Sequence, residues 1–250
     1  MSFNNFLKFY EIGYKGFFNY RRVLRFNKII SCIEDCRKKY GTMRILDAGC
    51  GTGAYSIFLR HLGYDIVGMD IDEDKMRVGR NFREPADLRQ GSVLQMPFAG
   101  NEFDLVLMTE VLEHITEPNK VISEISRVLK SNGILVLSVP TKKYSKSFDD
   151  SDYHEKDGYD VAELAALFSG KFEIEKQEQS GFSIESAIKH ADFNVTKEKG
   201  LAYVKNTGGE SAKFKLYKYL IFPIVYFMLS LDKFFRASEG LNLIVVCRKI

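Results

Sequence analysis

Cysteine and net charge are both scarce in this sequence, and each shortage argues against a class of protein. The chain has four cysteines in 250 residues. Only Cys32 and Cys36 are spaced to share one face of a helix, and no second pair completes a zinc site. The formal net charge is only +3, which gives little support to a nucleic-acid partner, although the N-terminal residues are locally basic.

Long hydrophobic runs are also missing. The apolar segment at residues 216–231 is interrupted by Pro223 and is shorter than the roughly 20 apolar residues of a membrane-spanning helix. Its flanking lysines suit contact with a membrane surface or a lipophilic partner, and a helix packed on the sheet is the equal alternative. The N-terminal residues show no apolar signal sequence, so we expect a cytoplasmic protein, peripheral to the membrane if residues 216–231 contact it.

Glycine, in contrast, is concentrated where it suggests chemistry. Gly49, Gly51 and Gly53 occupy alternate positions shortly after Arg44–Leu46, which we interpret as a strand. Glycine lacks Cβ, so the chain can turn sharply and a ligand can lie against bare backbone, while the following helix offers free N–H groups. The spacing predicts a strand–loop–helix unit that binds a nucleotide-like ligand.

Two aspartates narrow the choice of ligand. About 20 residues after the loop an apolar run ends at Asp70, where a second strand would place a carboxylate beside ribose hydroxyls. The loop differs from a dinucleotide-binding loop, because its third glycine comes one residue early, at Gly53. Asp47 would repel a pyrophosphate and attract an ammonium group. We therefore expect a nucleoside ligand with a cationic end. Capping of the helix after Asp70 is assigned to Asp74.

Six motifs, in order, closely resemble those of the class I S-adenosylmethionine (SAM)-dependent methyltransferases, in particular the small-molecule enzymes that include the ubiquinone-type O-methyltransferases. The motifs are Leu46–Gly53, Gly68–Asp72, Met96–Phe98, Phe103–Val106, Glu110–His114 and Arg127–Leu135. The resemblance implies an α/β fold, a doubly wound, seven-stranded Rossmann-like sheet with its last strand antiparallel, and SAM as the cofactor.

The resemblance also implies which residues bind SAM. They are Asp47, Gly49, Cys50, Gly51, Gly53, Asp70, Ile71, Ser92, Val93 and Thr109. Ser92 stands where the family commonly has an aspartate that binds the adenine amino group. Either its hydroxyl or the backbone N–H of Val93 is then expected to contact adenine.

Catalytic candidates follow the apolar run Phe103–Thr109. Glu110, Glu113 and His114 would share one face if a helical turn began there. By resemblance to small-RNA 2′-O-methyltransferases and some ubiquinone-type enzymes, this set would hold a divalent metal, with His154 as a fourth ligand. In the other interpretation, which we favour, His114 or His154 is the general base for a hydroxyl acceptor, or His114 is a structural imidazole.

These observations predict a division of the chain and a function. Residues 1–41 form a helical appendage or lid, and residues 42–250 form the SAM-binding domain. Within it, residues 141–170 contribute an acceptor-site loop and helix, and residues 211–236 an apolar helical segment. We expect methyl transfer to a small, lipophilic or lipid-linked hydroxyl acceptor. The alternatives are metal-assisted 2′-O-methylation of RNA and a non-catalytic SAM-binding scaffold, and the intact loop and Asp70 argue against the scaffold.

Overall fold

The structure is a computed structural model that describes residues 20–81, 86–142, 155–180 and 240–250, with side chains from Arg25 onward. Strands and helices alternate along these ranges. They are α1 (Tyr20–Tyr40), β1 (Arg44–Ala48), α2 (Ala54–His61), β2 (Asp65–Asp70), α3 (Glu73–Arg80), β3 (Asp87–Gln90), β4 (Phe103–Thr109), a 3₁₀ turn (Leu112–His114), α4 (Pro118–Val128), β5 (Leu129–Pro140), α5 (Val161–Phe168), β6 (Phe172–Ser180) and β7 (Asn242–Lys249).

The seven strands form one sheet in the order β3-β2-β1-β4-β5-β7-β6. Strands β1 to β5 are parallel, and β7 lies antiparallel between β5 and β6. This confirms the predicted doubly wound sheet and its antiparallel last strand. The order reverses between β1 and β4, so the carboxyl ends of these two strands border the crevice where ligands bind in such folds.

Helices cover both faces of the sheet. Residues of β4 alternate between two hydrophobic clusters: Leu105 and Leu107 pack with α1 and α2, whereas Val106 and Met108 pack with α4 and α5. A strand buried on both faces must be apolar throughout, which explains why β4 begins and ends where the sequence predicts. From Phe26 to Cys36, α1 contributes to the same core as the sheet.

Several boundaries differ from the sequence expectations. The N-cap of α3 is Asp72, whose side chain accepts from the backbone N–H of Lys75 at 3.0 Å, and not Asp74. Within the described ranges, no helix is both long enough and apolar enough to cross a membrane. Residues 216–231 lie outside the described residues, as does His154.

Candidate active site

The glycine-rich loop joins β1 to α2 and has the conformation that its glycines permit. Gly49, Gly51 and Gly53 have φ values of 78°, 57° and 77°, in the left-handed region that other residues rarely adopt. The N–H groups of Gly49 and Cys50 both donate to the carbonyl oxygen of Met69, at 2.7 and 2.9 Å. A Cβ on Gly49 would lie 2.4 Å from a methyl carbon of Val111. The loop is therefore held close to the ends of both β2 and β4.

Asp70 links this loop to the next one. Its Oδ2 accepts from the N–H of Gly51 at 2.7 Å, and its Oδ1 accepts from the N–H of Asp72 at 2.9 Å. A carboxylate can accept about four hydrogen bonds, so both oxygens can still accept from ribose hydroxyls. Ile71 follows with 70% of its surface exposed. An apolar side chain thus stands beside the carboxylate, where a flat base could pack against it.

Asp47 is a buried carboxylate with one unused oxygen. It is 1% exposed, and its Oδ2 accepts from the hydroxyl of Ser56 at 2.7 Å. Its buried Oδ1 has no hydrogen-bond partner among the described residues. Burial, reinforced by the negative charge of Asp70, raises the pKa of Asp47 to about 7. An ammonium group would supply both the missing donor and the missing positive charge, so the residues present fit the cationic end of SAM.

Arg25 is a site residue that the sequence reasoning missed. Its Nη1 lies 2.7 Å from Oε2 of Glu110. Its buried Nε has no hydrogen-bond partner among the described residues. Burial works against the charged form, but Glu110 and Tyr55 raise the pKa of Arg25. A signal existed in the sequence, because Arg25 lies four residues before Ile29 on the apolar face of α1.

Glu110 connects several elements at the end of β4. Its carboxylate accepts from the hydroxyl of Ser138 at 3.0 Å and from the side-chain amide of Asn242 at 3.0 Å, in addition to its ion pair with Arg25. Its φ of 54° is left-handed. Such strain persists only where the surroundings fix the residue, and here α1, β5 and β7 do so.

The expected common face of Glu110, Glu113 and His114 is wrong. Because Glu110 is left-handed, the turn includes only Leu112–His114. The side chain of Glu113 is buried, whereas that of His114 is 40% exposed. No three Asp, Glu, His or Cys residues in the described ranges are grouped to hold a metal. The metal prediction is thus not supported, and the cation beside Glu110 is the guanidinium of Arg25.

Glu113 and His114 remain close to each other. Oε1 of Glu113 lies 3.9 Å from Nε2 of His114, and its buried Oε2 has no hydrogen-bond partner among the described residues. Burial and the nearby carboxylate of Glu110 raise the pKa of Glu113 well above its usual value. The carbonyl oxygen of Glu113 accepts from the N–H of Lys156 at 3.1 Å. The segment before α5 therefore lies against the turn that carries His114, as expected of an acceptor-side segment.

The remaining predicted SAM-binding residues lie around the same edge of the sheet. Ser92 follows Gln90, which pairs with Asp70 across β3 and β2, so the adenine candidates are beside the ribose candidate. The hydroxyl of Ser92 accepts from the N–H of Leu94 at 3.2 Å, and Val93 is buried. Thr109 ends β4 opposite Ser138. Burial raises the pKa of the Cys50 thiol, so this thiol is not a nucleophile.

Comparison with known proteins agrees with this geometry. A family model described as a methyltransferase domain matches residues 46–137. The chain is 36% identical to a ubiquinone biosynthesis O-methyltransferase of Ruegeria sp. over 40% of the chain and 42% of that protein. It is also 36% identical to a demethylmenaquinone methyltransferase of Renibacterium salmoninarum, over 38% of the chain and 40% of that protein. The matched region thus spans less than half of these relatives.

Solved structures support the fold. A structure described as a putative sarcosine dimethylglycine methyltransferase from Galdieria sulphuraria is similar over 91% of the chain and 86% of its own length. Its TM-score is 0.58 and its identity is 16%. At this identity the likeness concerns the fold alone. Together with the matched domain and the curated relatives, it shows that the chain belongs to the class I SAM-dependent methyltransferases.

Proposed function

We propose that this protein transfers the methyl group of SAM to a hydroxyl group of a small-molecule acceptor. The observation that carries the proposal is the buried, unpartnered Oδ1 of Asp47 in a left-handed glycine loop. Across the same edge of the sheet, the buried Nε of Arg25 needs an acceptor. An amino-acid group has both an ammonium and a carboxylate, so it complements this pair. Asp70 would bind the ribose, and Ile71, Ser92 and Val93 would contact the adenine.

The chemistry asks little of the side chains. The sulfonium of bound SAM supplies an activated methyl group. The chain's own residues would align the acceptor with it and exclude water. His114 is the candidate base, because its imidazole is partly exposed at the end of β4 and lies near a carboxyl group. It would accept the hydroxyl proton as the acceptor oxygen attacks. We keep His154 as a second candidate base.

The names of the relatives support a quinone-related acceptor. One relative is named for ubiquinone biosynthesis and the other for demethylmenaquinone. The apolar segment at 216–231 supports a lipophilic or lipid-linked molecule, and it would place the protein in the cytoplasm at the membrane surface. We also retain residues 1–41 as an N-terminal lid and residues 141–170 as part of the acceptor site.

A labelled-methyl transfer assay tests the proposal. The acceptors would be two phenols with the same ring, one with a long isoprenoid chain and one without. We expect transfer to both and a preference for the long chain, and we expect the protein to float with liposomes. Failure to bind S-adenosylhomocysteine would overturn the assignment of the cofactor. Binding without transfer to either phenol would overturn only the acceptor, and transfer to both without flotation would remove only the membrane contact.

No observation in the described part of the chain favours RNA as the acceptor. That alternative depends on a divalent metal at Glu110, Glu113 and His114, and Glu110 is already paired with Arg25. Loss of turnover in EDTA, restored by a divalent metal, together with RNA binding at low salt, would reverse this conclusion. The scaffold alternative would require a damaged loop or a missing Asp70, and both are intact.

A further inference from the structure

Ser56 reaches Asp47 because Gly68 leaves room for it. Gly68 lies in β2 directly opposite Asp47 in β1. A Cβ at Gly68 would be 2.6 Å from the hydroxyl oxygen of Ser56. Ser56 is fully buried in the first turn of α2, and its hydroxyl donates to Oδ2 of Asp47 at 2.7 Å. Three elements therefore fix the orientation of this carboxyl group.

That orientation commits one oxygen of Asp47 and leaves the other for a ligand. The titratable groups that act on Asp47, or that Asp47 acts on, are Tyr55 on α2, Cys50 in the loop and Asp70 on β2. On the β4 side the register partner of Asp47 is the apolar Leu107. The groups facing Asp47 are thus one carboxylate and two weak acids. The guanidinium of Arg25 instead contacts Tyr55 and Glu110.

We propose that Asp47 is a proton-linked latch, positioned by Ser56, which holds the ammonium group of SAM only in its ionised form. The inference rests on the proposed function and adds a step to binding. The carboxylic acid of unliganded Asp47 releases its proton to solvent, and the ligand's ammonium keeps its own protons and pairs with Oδ1. The pKa of about 7 for Asp47 places this step near neutral pH.

The latch predicts the direction of a pH effect. Binding should draw on the ionised fraction of Asp47, which falls as the pH drops below the pKa. Affinity for S-adenosylhomocysteine, which retains the amino-acid group, should therefore weaken about tenfold for each pH unit below about 7. Above about pH 8 it should be constant. Binding should release close to one proton at about pH 6 and almost none at about pH 8.5.

Calorimetry measures both quantities. Binding of S-adenosylhomocysteine would be followed from about pH 6 to about pH 8.5, in pairs of buffers with different ionisation heats, which report the protons released. The comparison ligand is 5′-methylthioadenosine, which lacks the amino-acid group. We expect pH dependence and proton release for the first ligand only. Asp47→Asn should abolish both effects and weaken only S-adenosylhomocysteine.

Ser56→Ala tests the positioning role. The hydroxyl of Ser56 lowers the pKa of Asp47, so its loss should move the midpoint of the affinity curve to higher pH. Ser123→Ala is the matched control, because Ser123 donates at 2.8 Å to a backbone carbonyl on α4. It should leave the curve unchanged.

Each result decides between the latch and its alternatives. No proton release by the native protein, or the same release by Asp47→Asn, would overturn the latch. A loss in Ser56→Ala that is equal at every pH would reduce Ser56 to a structural role and overturn its positioning role. If the native protein binds 5′-methylthioadenosine but not S-adenosylhomocysteine at any pH, the latch fails. If it binds neither ligand, the proposed function fails as well.

Discussion

Replacing Asp47 with asparagine should stabilise the unliganded protein, and the gain should grow with pH. Asp47 is 1% exposed, and its pKa is about 7 compared with an ordinary 3.8. In an unfolded chain this carboxyl ionises near pH 4, whereas in the folded protein it stays protonated up to about pH 7. The native protein therefore loses stability as the pH rises through this window. The loss reaches about 4 kcal/mol at most, at 1.36 kcal/mol for each pH unit.

The asparagine variant escapes this loss, although not entirely. Its amide can still accept from Ser56, but the NH₂ group would lie where Oδ1 has no partner, and an unpaired buried donor costs about 1–3 kcal/mol. We expect a net gain of about 1–3 kcal/mol at about pH 8 and none, or a small loss, at about pH 4.

Urea denaturation at several pH values measures this difference. The difference in free energy of unfolding between the variant and the native protein should rise by roughly 1.4 kcal/mol per pH unit between about pH 4 and 7, and then become constant. Asp74→Asn is the control, because the side chain of Asp74 is 80% exposed, and its difference should stay nearly flat. A pH-independent difference for Asp47→Asn, or one that falls as pH rises, would refute the reasoning.

Three further predictions concern the site. Gly49→Ala should weaken S-adenosylhomocysteine binding more than about tenfold in calorimetry, because its Cβ overlaps Val111 and its φ is left-handed; unchanged affinity would contradict the loop geometry. Arg25→Met should weaken S-adenosylhomocysteine about 10- to 100-fold and 5′-methylthioadenosine little, with Arg37→Met as the control; equal losses for both ligands would make Arg25 structural. His114→Gln should lower the rate of methyl transfer about 100-fold without changing S-adenosylhomocysteine affinity, and unchanged turnover would end its role as base.

Local sequence patterns predicted most of the fold. The run Phe103–Thr109 is apolar throughout because both of its faces are covered, so its boundaries were predicted correctly. The spacing of the glycines likewise predicted the loop, because only glycine adopts its φ values without strain. The cap of α3 was assigned to Asp74, whereas Asp72 caps it. Either side chain could cap a helix there, and the choice depends on where the backbone leaves β2.

The contents of the site were harder to predict, because they depend on residues distant in the sequence. The helical face expected at Glu110 does not form, since Arg25, Ser138 and Asn242 hold Glu110 in a left-handed conformation. Asn242 is 132 residues away in the sequence. The role of Arg25 needs the same long-range knowledge, because a basic residue near the start of a helix is ordinarily solvated.

Unpartnered buried polar atoms distinguish this crevice from an ordinary sheet edge. Such atoms are rare in folded proteins, and each costs about 1–3 kcal/mol. Three of them, Oδ1 of Asp47, Nε of Arg25 and Oε2 of Glu113, belong to residues near the carboxyl ends of β1 and β4. A ligand with an ammonium and a carboxylate would satisfy the first two without moving the backbone. The destabilisation that Asp47→Asn should relieve is therefore the same feature that lets this loop select a cationic ligand.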